Sequence, residues 1–136
     1  MLVTGCAGFI GSHLCRKLLQ MGHTVRGIDD LSVGFKENVE DLGEFNKSKE
    51  GNGRFLPNDI PWNWMIRDIR DKSLPKIWAE GMYGDFDIIY HLAARGETYW
   101  CQQNPDQAVD VNVNGALNIL EFAKMCNCKH IVFTDT

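Results

Sequence analysis

Three glycines near the start of the chain have the types and spacing of a phosphate-binding turn. Thr4-Gly5-Cys6-Ala7-Gly8-Phe9-Ile10-Gly11 follows a short β-type run, Leu2-Val3-Thr4, and leads at once into a helical pattern. The spacing is GxxGxxG rather than GxGxxG. In a strand–turn–helix of this kind Gly5 permits the tight turn, Gly8 lets the backbone approach a pyrophosphate, and Gly11 lets the helix pack on the strand. The amides of Phe9 and Ile10 then face the phosphates from the positive end of the helix. Asp29 lies 18 residues beyond Gly11, near the spacing of the acid that holds an adenosine ribose in such folds. A carboxylate there accepts hydrogen bonds from the 2′- and 3′-hydroxyls and repels a 2′-phosphate. No lysine or arginine stands next to it; the nearest downstream base is Lys36. These residues favour NAD over NADP. The competing readings are a glycine turn without a ligand and, for Asp29-Asp30, a turn or helix cap.

The other chemistry-bearing residue types show no convergence. His13, His23, His91 and His130 fall on a helix face, a turn and two strands, so no metal site is predicted. The five cysteines (6, 15, 101, 126, 128) form no paired framework, and Cys126 and Cys128 make a CxC with no second pair nearby. Reduced thiols fit this pattern better than a redox or metal site. Trp62, Trp64, Trp78 and Trp100 lack interleaved basic residues and read as core or flanking aromatics, not as base-stacking platforms. Arg95 and Glu97 are either substrate contacts or a solvated loop pair. The mixed-sign run Lys36–Glu50 reads as a solvated face. With 14 basic and 18 acidic residues the net charge is −4, which gives a nucleic-acid backbone little long-range attraction.

The elements that must position these residues follow from patterning. The chain has 136 residues, 44% of them hydrophobic and 24% charged, an ordinary composition for one globular domain. No stretch approaches the roughly 18–20 apolar residues of a membrane span, and the start lacks the basic region of a signal peptide. A soluble, cytoplasmic domain is expected. Short β-type runs alternate with helix-type runs, which predicts an α/β fold with a doubly wound parallel sheet. Strands are predicted at Leu2-Val3-Thr4, Thr24–Ile28, Trp64-Met65-Ile66, Phe86–His91 and Lys129–Phe133. The first helix runs from Gly11, with Leu14, Leu18, Leu19 and Met21 on one side. A short helix is expected within Phe35–Gly43, another at Leu74–Glu80, and SKEGNG at 48–53 as a polar loop. Pro105 opens the longest helix, with Val109, Val113, Ala116, Leu117, Leu120 and Met125 periodic along it.

Five segments in order, TGCAGFIGSHL (4–14), DDLSVG (29–34), DIRD (68–71), YHLAAR (90–95) and VNVNGALNILEFAK (111–124), resemble the NAD-dependent epimerase/dehydratase family. These are the extended short-chain dehydrogenases that act on nucleotide sugars. The resemblance covers almost the whole chain apart from about 44–63. It implies a Rossmann-like sheet of order 3-2-1-4-5, with residues 1–136 forming an NAD-binding domain that stops after strand five. Asp30 and Ser32 join Asp29 as cofactor-binding residues in that comparison. Asp68 would bind the adenine amino group through its carboxylate and Ile69 the ring through its backbone, with Asp59-Ile60 as the rival pair. Leu92, Ala93, Ala94 and Arg95 would line the nicotinamide side, and Asn112 would lie beneath the nicotinamide ribose. The family's chemistry uses a Ser or Thr after strand five and a Tyr-x-x-x-Lys further on. Counting along strand five puts Thr136 at the Ser/Thr position, with Thr134 as the alternative and Thr134-Asp135 resembling the Thr-Asp pair of the dehydratases. Tyr83, Tyr90 and Tyr99 are followed four residues on by Asp87, Ala94 and Gln103, so the Tyr-Lys pair is absent from these residues. The implied function is the NAD-binding N-terminal portion of a nucleotide-sugar epimerase or dehydratase, a homodimer when complete. The alternative is a non-catalytic module that binds NAD or a partner chain.

Overall fold

The structure is a computed structural model, and it describes residues 1–48, 60–80 and 85–134. Five strands, β1 (Leu2–Thr4), β2 (Val25–Asp29), β3 (Trp62–Ile66), β4 (Ile88–His91) and β5 (His130–Phe133), form one sheet of order β3-β2-β1-β4-β5. Every pairing is parallel. The doubly wound sheet expected from the alternating pattern is therefore present, in the predicted order. Parallel neighbours need crossovers, and helices supply them. They are α1 (Phe9–Gln20), α2 (Glu37–Glu40), α3 (Leu74–Glu80), α4 (Thr98–Gln103), α5 (Pro105–Val109) and α6 (Ala116–Met125). A 3₁₀ segment, Asp41–Ser48, follows α2, and a π-helical segment, Asp110–Gly115, joins α5 to α6.

Side chains on alternate faces of the sheet build two cores, as a sheet covered on both sides requires. On one face Leu2, Ile28 and Ile89 pack with Leu74, Trp78, Phe86, Ile119 and Phe122. Trp78, Phe86 and Phe122 meet ring to ring, with centroids 5.2, 5.7 and 6.1 Å apart. On the other face Val3 and Val25 pack with Cys6, Cys15, Leu18, Leu19, Val39, Leu42 and Trp62. Trp62 and Trp78 are thus core residues, as expected.

The longest helix departs from its predicted orientation. Val109, Val113, Leu117, Leu120 and Met125, read from periodicity as its apolar side, are all exposed. The buried side is Ala108, Gly115, Asn118, Ile119, Phe122 and Ala123. Two physical causes combine. The helix is apolar on two sides, so periodicity alone does not say which one meets the sheet. The π segment also adds a residue to one turn and rotates α6 relative to α5. Met21 likewise faces solvent, as the C-cap of α1. The helix expected within Phe35–Gly43 is one α-turn that tightens into the 3₁₀ segment. Residues 49–53 of the predicted polar loop lie outside the described residues.

One buried polar contact joins the carboxyl ends of the two central strands. The Thr4 hydroxyl lies 2.8 Å from His91 Nδ1 and accepts the Ala93 N–H at 3.2 Å. The Phe133 ring stands edge-on to the imidazole with centroids 5.0 Å apart. Burial pushes the His91 pKa down to about 4, because desolvation penalises the imidazolium. The unfolded chain therefore binds a proton between its ordinary value of about 6.5 and about pH 4, while the folded chain does not. Stability is full above about pH 6.5 and falls through that window, by an amount on the order of 3 kcal/mol. Thermal melts between about pH 7 and pH 4 should show this fall, and His91→Asn should flatten it. Carboxylate titration lies lower and leaves the upper half of the window to the imidazole.

Candidate nucleotide-binding cleft

A cleft of about 280 Å³ opens at the carboxyl ends of β1 to β4. It sits where the strand order reverses, between β1 and β4, the place where open α/β sheets bind ligands. Its floor is the turn from β1 into α1. Gly5 has φ +70°, and a Cβ there would lie 2.8 Å from the Ala93 nitrogen. A Cβ on Gly11 would collide with the Gly5 carbonyl. Both positions therefore require glycine, one for its dihedral and close approach, the other for close approach alone. Gly8 is the extended N-cap of α1 and gives it no side-chain cap. The first-turn N–H groups of α1 are thus left without an intrahelical or side-chain partner, beside the cleft wall formed by Gly8, Phe9, Ile10 and Gly11. That is a cradle for a phosphate group.

Asp29 closes β2 and is 7% exposed. Its Oδ2 accepts the Ala7 N–H at 2.9 Å and its Oδ1 accepts the Leu31 N–H at 2.8 Å. Each oxygen keeps a second lone pair for a ribose hydroxyl. Asp30 and Ser32 stand on the same rim, where Asp30 Oδ1 accepts the Ser32 N–H at 2.9 Å and its hydroxyl at 2.6 Å. The acidic rim has a cation that sequence proximity did not reveal. Arg67 lines the cleft, and its N–H donates to the Asp29 carbonyl at 3.0 Å. The signal lay in strand register, since Asp29 pairs with Ile66 at the end of β3.

Asp68 and Ile69 follow directly in the cleft wall. The Arg70 Nε lies 3.0 Å from both Asp68 oxygens, and Arg70 Nη1 donates to Asp110 at 2.7 Å. The guanidinium holds the Asp68 carboxyl below the usual carboxylate range. Asn118, buried on α6, donates to the carbonyls of Ile69 and Asp71 at 2.6 and 3.0 Å. Ile69 in turn packs against Gly115 in the π segment. The rival Asp59 lies outside the described residues, so only the 68–69 pair is placed in the wall.

The opposite wall is Leu92, Ala93, Ala94 and Arg95 beyond β4. The Arg95 guanidinium stacks on Trp100, 4.2 Å from the ring centroid, and approaches Glu97 at 3.4 Å. Trp100 is thus a platform for an arginine of the cleft. Asn112 stands behind this wall, not in it. Its amide accepts the Arg95 N–H at 2.8 Å and donates to the Arg95 carbonyl at 2.9 Å. Val33, Gly34, Val111 and Thr134 also line the cleft. Thr136 and Asp135 lie outside the described residues.

Competing chemistry finds no support among the described residues. No group of histidine, cysteine and acidic side chains there is arranged to hold a metal. All five cysteines are free, and burial pushes the Cys15 thiol up to about 12 and the Cys126 thiol to about 11, which disfavours the thiolate at these two positions. No helix of the described residues is long and apolar enough to cross a membrane.

Comparison with known proteins agrees with this geometry. The model of the NAD dependent epimerase/dehydratase family matches residues 1–136. The chain is 32% identical over its whole length to a putative UDP-glucose 4-epimerase of Methanocaldococcus jannaschii, of which it covers 37%. It is 35% identical over 99% of its length to the UDP-glucose 4-epimerase of Mycolicibacterium smegmatis, covering 38% of that protein. A crystal structure of UDP-glucose-4-epimerase from Stenotrophomonas maltophila with bound NAD and formylated UDP-arabinopyranose superposes with a TM-score of 0.78 at 29% identity, over 99% of this chain and 36% of that one. The chain therefore spans little more than a third of the length of the curated relatives it matches. With the glycine turn, the buried acid at the end of β2 and the family match on the same residues, the chain belongs to the NAD dependent epimerase/dehydratase family.

Proposed function

We propose that this chain is the NAD-binding portion of an enzyme that changes the stereochemistry or oxidation pattern of a nucleotide sugar. The observation that carries this reading is the shared cleft into which the uncapped N-terminus of α1 and the Asp29 carboxylate both open. NAD, when bound there, supplies a hydride acceptor that oxidises a sugar hydroxyl to a ketone and later returns the hydride. The remaining work falls to the protein. The amides of Phe9 and Ile10 hold the pyrophosphate, and Asp29 accepts the ribose hydroxyls with Asp30 and Ser32 beside it. Asp68, kept ionised by Arg70, accepts from the adenine amino group while Ile69 meets the ring through its backbone. Leu92 to Arg95 shape the nicotinamide end, with the Asn112 amide fixing the Arg95 backbone behind it. Thr136 takes the Ser/Thr role by counting along β5, and Thr134, on the cleft wall, is the alternative if the register slips.

The substrate class rests on the relatives, which include UDP-glucose 4-epimerases. Five free thiols support a reducing, cytoplasmic setting. The exposed apolar stripe of Val109, Val113, Leu117 and Leu120 supports a homodimer, because a contiguous apolar face of this kind marks an interface.

Three measurements test these assignments. Calorimetric titration of the unaltered protein should show NAD bound at least about tenfold more tightly than NADP, and Asp29→Asn should narrow that ratio; tighter binding of NADP by the unaltered protein would overturn the assignment. The 136 residues expressed alone should bind NAD yet show no turnover of UDP-sugars. The complete gene product should turn them over, since a positioned acid–base group contributes about 10²–10⁴-fold. A complete product that binds NAD without turnover would instead indicate a binding module. Finally, light scattering of the complete product should report a dimer that Leu117→Glu converts to monomer, and an unaltered monomer would remove the dimer assignment.

A further inference from the structure

We propose that Asn38, on α2 and outside the cleft wall, is a positioning residue for pyrophosphate binding. It fixes the Ala7–Gly8 peptide and through it the direction of the first-turn amides of α1. This proposal rests on the reading of the cleft as an NAD site.

Ala7 is fully buried and gripped from two sides. Its N–H donates to Asp29 Oδ2 at 2.9 Å. Its carbonyl accepts two donors, the Asn38 side-chain amide at 2.8 Å and the Phe35 N–H at 3.1 Å. At the other end of the same peptide unit the Gly8 N–H donates to the Gly5 carbonyl at 3.2 Å. Gly34 lies flat against this unit, since a Cβ there would come within 2.8 Å of the Ala7 carbonyl carbon and 3.0 Å of the Gly8 nitrogen. The peptide plane is therefore fixed at its oxygen, its N–H and one face. The following carbonyl, that of Gly8, accepts the Ser12 N–H at 3.0 Å and begins α1. Rotation of the Ala7–Gly8 plane would swing the Gly8 N-cap and re-aim the amides of Phe9 and Ile10.

Among the described residues Asn38 is the one side chain in this grip apart from Asp29, and the two act on opposite ends of Ala7. Asp29 belongs to the ribose subsite and Asn38 to neither subsite, yet both orient the phosphate cradle. Asn38 is itself held in place, as its N–H donates to the Phe35 carbonyl at 3.0 Å and the adjacent Val39 is buried in the core. The consequence is selective. Ligands that carry a pyrophosphate depend on Asn38, and adenosine, which ends at the ribose, does not.

The test is calorimetric titration of the complete gene product with NAD, ADP and adenosine. Asn38→Leu keeps the branched side-chain skeleton and removes the donor; Asn38→Asp keeps the shape and turns the donor into an acceptor facing the Ala7 carbonyl. Both should weaken NAD and ADP by about 5–20-fold, the scale of one hydrogen bond to a buried carbonyl, and leave adenosine within about twofold. Asn38→Gln, which retains an amide donor, should recover part of the ADP affinity. Unchanged ADP affinity in both variants, or an equal loss for adenosine, would overturn the proposal. Amide hydrogen exchange on the unaltered protein gives a readout that needs no substitution: ADP should slow exchange of the Phe35 N–H, adenosine should not, and equal slowing by both would count against Asn38. Failure of the unaltered protein to bind NAD would overturn the reading of the cleft, and the proposal with it.

Discussion

A carboxylate almost wholly withdrawn from water, Asp29, holds the cleft together. A buried carboxylate is costly unless each oxygen finds a donor, and Asp29 finds one in the Ala7 N–H and the other in the Leu31 N–H. The first bond ties the end of β2 to the glycine turn that follows β1. The second holds Leu31 at φ 61°, in the left-handed region, and so turns the chain away from the sheet toward α2. Loss of either bond would strand part of the charge and free the loop it controls. The acid on the cleft rim and the brace of the glycine turn are thus one group. That economy ties the cleft rim to folding at this position, because a change that removes the Asp29 acceptor also loosens the glycine turn it braces.

Much of this is legible in the amino-acid sequence because it is local. Glycine spacing, the strand before it and the helix after it fix a turn geometry that few ligands use, and Gly5, Gly8 and Gly11 occupy the floor of the cleft as that geometry requires. Asp29 is legible for the same reason, as an acid at a fixed distance along a βαβ unit. Arg67 is not, since its nearness to Asp29 comes from the pairing of β2 with β3, and register across a sheet is invisible to a search of sequence neighbours. Asn38 is hidden similarly, 31 residues from its acceptor on Ala7. Periodicity on the long helix fails for a different reason. A helix with apolar residues on two sides offers two solutions, and the packing of Ile69 on Gly115 together with the Asn118 bonds selects the one that a hydropathy pattern does not mark.

That helix explains why the two ends of the cleft keep their separation. At the Asp68 end, Asn118 holds the carbonyls of Ile69 and Asp71, Gly115 leaves room for the Ile69 side chain, and Asp110 anchors Arg70, which in turn orients Asp68. At the other end Asn112 pairs with the backbone of Arg95. Residues 110 to 118 thus touch both walls. In an unbroken α-helix, at about 100° per residue, positions 112 and 118 lie about 60° to either side of 115. The π segment Asp110–Gly115 widens that separation by slackening one turn, and such segments are frequent at functional sites. The exposed stripe on the outer side of the same helix follows from the helical repeat: with Gly115 and Asn118 turned inward, Val113, Leu117 and Leu120 point outward. Their exposure is thus a consequence of how the cleft is held rather than an independent feature, and it leaves an apolar face directly behind the nucleotide-binding wall.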